Sequence, residues 1–560
     1  MKLRISALSL ALCLTTAPLR ADWKDEISFT RLQALAGAEL PLSLAPGFSQ
    51  IEAYASETTN YAPDTANSLF DGVSFSLKSG ASAASSHATT VATNFYSTSS
   101  LLPGNVSVPV DLYYAADWMN SGFLNLGSSS VPDTENRAIQ NHSWIGSSSD
   151  DTEFNQRLDY AINRDGFVCV VGENNGSSTT LPDILGQSYH TISVGRADGA
   201  HSAGFTTYDV PGRIKPDIVA PASFTSYAAP MVGSAAGLLF AKISSDHPTL
   251  STSDRPRVIK ALLLASATKD TVPTWANTTS RPLDLRYGAG ELNIHHAYHT
   301  LRAGRTTAGS TLHGIRGWAA EAVDGSTTKT YFFSIPAGAP ATPLCATLIW
   351  HRNVTTSTSG MGPFKTRNWS SALADLNLRL HHASGTTLGT VIAESLSAVD
   401  NVELVHHAAL APGDYALVVS NTSGSTPPYA LAWHSLPAVT VAATVSPARE
   451  IDGQEGVITL TRTGDTTLPL YVPLALGGTA VPGTHYQALP ASVTIPAGQS
   501  SVLLPITPIS DLLAQGDRTV TASVAADFSL VSDSGQTAVM TIEDKPFDAW
   551  RFATFSAAEL

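Results

Sequence analysis

The chain has 560 residues, and single hydrophobic cores stop growing near roughly 250–300 residues, so more than one domain is expected. Hydrophobic residues make up 43% and charged residues 14%, a balance that excludes a disordered chain and suits an extracellular or β-rich one. The net charge of −14 excludes nucleic acid as a partner bound through counterion release.

Residues 1–21 read as a signal peptide. Lys2 and Arg4 make a basic start, an apolar stretch runs from Ile5 to Leu14, and Leu19-Arg20-Ala21 offers a cleavage site before Asp22. The stretch is too short for a membrane-spanning helix, and no other apolar run approaches that length. The expectation is a secreted bacterial protein, extracellular, cell-surface or periplasmic, with no membrane span. Cleavage removes Cys13 and leaves Cys169 and Cys345. They lie far apart, so they read as buried strand thiols rather than a disulfide framework.

From residue 22 to 305 apolar strand-like runs alternate with helical patterns. Gly166–Val171 and His190–Val194 suit buried parallel strands; Ala228–Phe240 and Arg257–Ala267 suit helices packed on them. That alternation predicts an α/β fold, a parallel sheet with helices on both faces. Beyond Arg305 helical periodicity fades. Short alternating runs separated by Gly, Ser, Thr and Pro predict two all-β sandwiches, over 306–437 and 438–544. Residues 545–560, with Trp550, Phe552 and Phe555, read as a tail.

The strongest chemical signal is Thr225-Ser226-Tyr227-Ala228-Ala229-Pro230, led into by Lys215-Pro216-Asp217-Ile218-Val219-Ala220-Pro221. A Ser in the first turn of a helix holds its hydroxyl near the positive end of the dipole. Pro230 is expected to be tolerated because first-turn N–H groups lack partners anyway. These residues resemble the nucleophile segment of subtilisin-like serine proteases, KPDIVAPG…GTSMAAP, with Phe224 standing where that family has Gly. The resemblance covers roughly residues 22–305 and implies a subtilisin-like sheet and peptide-bond hydrolysis, with protein or peptide substrates. It makes Ser226 the nucleophile and His87, in Ser86-His87-Ala88-Thr89-Thr90-Val91-Ala92, its base.

The third group orients the imidazole and stabilises its cation. The family uses Asp at a strand end before the His, and no such segment exists here. Glu52 in Ser49-Gln50-Ile51-Glu52-Ala53 is the candidate, with Asp64 and Asp71 as rivals; both rivals sit beside turn formers. Gly172-Glu173-Asn174-Asn175-Gly176 resembles the AAGNxG segment, which implies Asn174 as a side-chain oxyanion donor, with Glu173 in place of Gly. Asn141-His142-Ser143-Trp144-Ile145-Gly146 resembles the strand that lines the specificity pocket, and implies substrate binding by Ser143, Trp144, Ile145 and Gly146. The short distance from residue 22 to the first core strand leaves no room for the family's folding propeptide. The competing expectation is a catalytically inactive protease fold serving as a surface or adhesion protein.

Residues 438–544 resemble a Calx-beta domain, through Gly478-Thr479-Ala480-Val481-Pro482-Gly483-Thr484-His485-Tyr486, Ile495-Pro496-Ala497-Gly498-Gln499 and Ile542-Glu543-Asp544. Calcium-binding members cluster acids, because Ca²⁺ wants six to eight oxygens. Here His485, Gln515 and Arg518 replace acids, so a structural role is expected, and no cofactor is required for the chemistry. Residues 306–437 weakly resemble the jelly-roll-like modules behind some bacterial and kexin-like proteases.

Overall fold

The computed structural model describes residues 22–559, apart from 38, 41–45, 54–59, 103–106, 149, 209, 361–364, 512 and 533–535. The signal-peptide reading of residues 1–21 lies outside the described residues.

Seven parallel strands form the first sheet: β1 (Phe48–Glu52), β2 (Val73–Leu77), β3 (Val108–Tyr114), β4 (Ile139–His142), β5 (Val168–Gly172), β6 (Ile192–Arg196) and β7 (Ile218–Ala220). Their spatial order is β2-β3-β1-β4-β5-β6-β7. Both faces are buried, which is why β5 reads as an unbroken apolar run. Val168 and Val170 face one core, Cys169 and Val171 the other. From β1 the chain goes to the edge strand β2, returns inward to β3, crosses β1 to β4 and then runs outward to β7. The switch point therefore lies between β1 and β4, and a crevice opens beyond the strands' C-terminal ends there.

Five helices matter to the site and its support: α1 (Ser86–Phe95), α2 (Asp151–Asp165), α3 (Thr225–Asp246), α4 (Arg255–Ala265) and α5 (Ile294–Arg302). α3 is buried almost throughout. Its small residues let neighbours close in: a Cβ on Gly233 would stand 2.8 Å from the Phe95 ring of α1.

Two β-sandwiches follow. In the first, a five-stranded and a four-stranded sheet enclose a core that includes Trp350, Tyr331 and Trp433. The four-stranded sheet is covered on its other side by α4, through β8 (Thr342–Trp350) and β9 (Pro428–Ser435), and Ile349 and Ala432 join the core of the α/β domain. Buried polar contacts lock the same junction. Arg352 Nε meets Asp159 at 2.6 Å, and the rings of His190 and His351 stack at 3.8 Å. Cys169 and Cys345 are free, buried thiols on β5 and β8.

The second sandwich pairs a four- and a five-stranded sheet around Val439, Leu460, Val472 and Met540. Glu450, Asp511 and Asp544 cluster there, with Glu450 Oε2 buried and unpartnered, but Asp511 and Asp544 are engaged by donors. Asp544 Oδ2 accepts the N–H groups of Gln515 and Gly516, Asp511 Oδ2 accepts Gln515 Nε2 at 2.6 Å, and Lys545 Nζ donates to the Asp511 carbonyl. An ammonium and an amide among these oxygens do not fit a calcium site. Residues after 544 are not simply a tail. Pro546 starts a helix, Pro546–Thr554, that leaves Phe547, Trp550 and Phe552 exposed. Proline at the first helical position suits it, since that N–H has no intrahelical partner.

Candidate active site

The site assembles where the switch point predicts. β1 alternates its side chains, so Phe48, Gln50 and Glu52 share one face. Glu52 ends the strand fully buried, and a buried carboxylate must find donors. It has two. Oε1 accepts Gln50 Nε2 at 2.8 Å and Oε2 accepts His87 Nδ1–H at 2.8 Å. Gln50 is held in turn, donating also to the Ala88 carbonyl at 3.0 Å and accepting from the Tyr96 hydroxyl.

His87 is the second residue of α1. Ser85 caps that helix by accepting the Ala88 N–H at 3.2 Å. The ring is partly exposed, and the hydrogen bond to Glu52 holds its pKa above the usual imidazole value against the opposing effect of burial. With Nδ1–H given to the carboxylate, Nε2 is the nitrogen left to accept a proton. Asp64 and Asp71 are exposed and stay apart from it. Asp64 Oδ1 accepts the Ala66 N–H at 3.3 Å, and Asp71 closes a short 3₁₀ turn.

Ser226 is the second residue of α3. Pro230 lies inside that helix, beyond the first turn, so the sequence explanation of its tolerance needs correction. A residue there would donate its N–H to the Ser226 carbonyl, and proline cannot. Ser143 supplies the missing donor: its Oγ reaches Ser226 O at 2.8 Å and itself accepts Asn141 Nδ2 at 2.9 Å. The start of α3 is also tied to the β5 turn. Thr225 N–H donates to Asn175 Oδ1 at 3.0 Å, and Thr225 Oγ1 donates to Glu173 O at 2.5 Å. Gly172 allows this approach, since a Cβ on it would sit 3.1 Å from Thr225 O.

His87, Ser143, Trp144, Ile145, Gly172, Glu173, Asn174, Asn175, Thr225 and Ser226 line one cleft of about 150 Å³. The structure thus brings together Ser226, His87, Asn174, Ser143, Trp144 and Ile145, with Glu52 behind the histidine. Gly146 does not line the cleft; it packs against Trp144 and Ile184 instead. Trp144 is largely buried, its indole N–H donating to His142 Nδ1 at 3.1 Å, while Ile145 is exposed. His142 passes its other N–H to Gln140 Oε1 at 3.0 Å, and burial pushes its pKa down to about 3. It is a neutral strut. Among the described residues no hydrogen bond joins Ser226 Oγ to His87, and the Asn174 side chain has no protein partner.

Each departure from the expected motif has a local reason. Phe224 caps α3 in an extended conformation that needs no glycine, and its exposed ring lies edge-on to Tyr227 at 5.6 Å. Tyr227 lies 5.9 Å from the His87 ring. Ala88 fits a helical position with its side chain fully buried. Sequence reasoning did not single out Gln50, Asn175 or Tyr227. The spacing of Gln50 and Glu52 on one strand face was the available signal for the first.

The model of the Subtilase family, peptidase S8, matches residues 115–290. That span holds Ser143, Asn174 and Ser226 and begins after Glu52 and His87. No curated protein matches the chain. Among solved structures the chain is similar to the prenylagaramide maturation protease PagA, at 18% identity over 48% of this chain and 97% of that one, with a TM-score of 0.32. It is similar to the apo-form Calx CBD1 domain, at 19% identity over 19% of this chain and 97% of that one, with a TM-score of 0.17. It is also similar to the pre-peptidase C-terminal domain of collagenase from Bacillus anthracis, at 14% identity over 23% of this chain and 99% of that one, with a TM-score of 0.16. The stretch that matches the Subtilase family model lies in the parallel α/β domain and includes the start of α3 that carries Ser226.

Proposed function

We propose that this protein is a secreted serine endopeptidase that hydrolyses peptide bonds through a Ser226–His87–Glu52 triad and an acyl-enzyme. The observation that carries the reading is the buried Glu52 carboxylate on His87 Nδ1, in a cleft that also holds Ser226. Such a pairing fixes the tautomer with a free Nε2 and stabilises the imidazolium formed on proton transfer.

His87 Nε2 takes the Ser226 Oγ proton as the oxygen attacks the scissile carbonyl. The oxyanion receives hydrogen bonds from Asn174 Nδ2 and the Ser226 N–H, both at the entrance to α3. His87 then returns the proton to the leaving amine, and water repeats the sequence on the acyl-enzyme. Residues 143–148 run past the end of β4 with no strand partner among the described residues. An extended substrate segment can pair with that backbone, as an added strand does at an open edge. No helix of the described residues is long and apolar enough to cross a membrane.

The test is labelling of the full chain by a fluorophosphonate, with hydrolysis of an unfolded protein substrate measured in parallel. Labelling at Ser226 that is lost in Ser226→Ala is expected; an unlabelled wild-type protein would defeat the reading. Export is checked separately, by finding Asp22 at the N-terminus of protein recovered outside the cytoplasm.

A further inference from the structure

The residue before the oxyanion asparagine carries a carboxylate that the mechanism above does not use. Glu173 is 1% exposed. Its Oε2 accepts the Ser202 hydroxyl at 3.2 Å, and its Oε1 is buried without a hydrogen-bond partner. Ser202 is fully buried. Its Oγ accepts the Asn174 N–H at 3.0 Å, and its own N–H donates to the Asn174 carbonyl at 2.8 Å. Both backbone groups of Asn174 therefore end on Ser202. Glu173 itself is anchored at the far side, since its carbonyl takes the hydroxyl of Thr225, the neighbour of Ser226.

We infer that Glu173 is a positioning residue that, through Ser202, fixes the Asn174 turn against the start of α3 and so sets the oxyanion side of the cleft. A serine hydroxyl has one proton and two lone pairs. Glu173 accepts the proton, which turns a lone pair toward the Asn174 N–H. Without the carboxylate the hydroxyl is free to rotate, and a donor displaced by a fraction of an ångström loses most of its effect on a developing oxyanion. This inference rests on the peptidase reading and adds a residue to it.

The charges around Glu173 give the arrangement a pH signature. Lys215 and Asp217 face it from the segment entering β7. His201 lies beside Ser202, while Lys260 on α4 and Asp400 from the first sandwich lie farther off, around Asp217 and Lys215. Asp217 already holds both cations, Lys215 at 2.8 Å and Lys260 at 3.1 Å. Lys215 offsets the burial of Glu173 only in part, and its carboxyl is pushed up to about 7. Asp217 is held down at about 2, His201 down at about 4 and Lys260 down at about 8, so none of these titrates between pH 5 and 7. Asp400 is raised by its own burial but touches neither Ser202 nor Asn174. Turnover then falls as His87 is protonated, with a further loss of about tenfold at most as Glu173 is.

The experiment uses the full chain and reads kcat, KM and the rate of fluorophosphonate labelling from pH 5 to 9. Glu173→Ala is expected to lower kcat roughly tenfold at pH 9, a fraction of the loss from deleting an oxyanion donor, with KM within about a factor of two. Glu173→Gln, neutral like the protonated acid and able to turn an N–H toward Ser202, should lose a similar factor at pH 9. Its acid limb should fall about tenfold per pH unit throughout, where the wild-type limb is steeper near pH 7 by up to a further tenfold in all as Glu173 is protonated. If Glu173→Ala does not fold, Ser202→Ala supplies the same kcat-specific loss. Wild-type kcat in both alanine variants, or an identical acid limb in Glu173→Gln, would overturn the inference while leaving the peptidase reading intact. An unlabelled wild-type protein would remove the reading itself.

Discussion

Two histidine environments in this molecule are opposites. His87 stands partly exposed at the mouth of the cleft, bound to a carboxylate that raises its pKa. His295, His296 and His299 lie buried on α5, with His434 from β9 beside them, where the α/β domain meets both sandwiches. Among the described residues no carboxylate hydrogen-bonds to that second group, and Asp527, which faces His296, is paired with Arg31 at 2.8 Å. Arg316 Nη1 donates to His299 Nδ1 at 3.3 Å, and His434 Nδ1 shares a bond with Thr300 Oγ1 at 3.0 Å. His296 Nε2–H donates to the carbonyl of Phe528 in the last sandwich at 3.1 Å. Burial and the neighbouring cation hold all four neutral. The side chain is the same in both places. A hydrogen-bonded carboxylate raises its pKa in one, and burial beside a cation lowers it in the other.

The widest way to break this contrast is to remove one histidine from each side. His87→Ala should lower turnover by a factor on the order of 10⁶, since triad members act as a unit, with the melting temperature little changed. His296→Ala removes a buried hydrogen bond between domains and should cost about 1–3 kcal/mol in stability, with kcat at 25 °C close to wild type. Urea unfolding and steady-state kinetics on both variants check the pair. Equal losses of activity would erase the distinction.

Next in size is the carboxylate. Glu52→Gln keeps a hydrogen bond to the ring but removes the charge that stabilises the imidazolium. Turnover should fall on the order of ten-thousandfold, with KM little affected. A Glu52→Gln protein near wild-type rate would show that His87 needs only a polar contact.

Much of this was legible from residues alone, for a physical reason. A helix start carrying Ser226 and the glycine-bearing turn after β5 are local structures, so short strings encode them. Phe224, Glu173 and the Gln50 brace were not, because their fit depends on partners from distant strands. Pro230 shows the limit most clearly. Local reasoning placed it in a first turn, whereas the carbonyl it leaves without a donor is met by Ser143, 83 residues upstream of Ser226. The helix at Pro546–Thr554 was missed because its aromatic residues stay exposed and give no packed face to read.

A milder probe is acid. The junction histidines have folded pKa values below the ordinary 6.5, with His296 down at about 3. The unfolded chain therefore binds protons that the folded chain refuses, and stability falls as pH drops below about 6.5. Each such histidine contributes a slope of up to about 1.4 kcal/mol per pH unit. His87 has the opposite sign, since its raised pKa favours the folded state below 6.5 and that gain fades as pH rises. His296→Gln keeps a donor for Phe528 and should reduce the acid slope by about one proton, read from urea midpoints between pH 6.5 and 4.5. An unchanged slope would mean that the junction is already open in solution.

The smallest effect sharpens the assignment of the acid. Asp64 lies near α1, its backbone N–H bonded to Thr89 Oγ1 at 2.8 Å, and it is the rival whose displacement could bring a carboxylate toward His87. Its side chain instead accepts the Ala66 N–H within its own turn, and Asp71 ends the short turn at Ser68–Phe70. Asparagine can accept the same local bonds in either place. Asp64→Asn and Asp71→Asn should therefore keep turnover within about twofold and stability within about 0.5 kcal/mol, as exposed substitutions outside such networks do. Both are measured beside Glu52→Gln on the same substrate. If Asp64→Asn were the crippling variant, the working histidine would draw its charge from solvent-exposed chain, and the buried Glu52 would be a structural acid like those that brace the rest of the molecule.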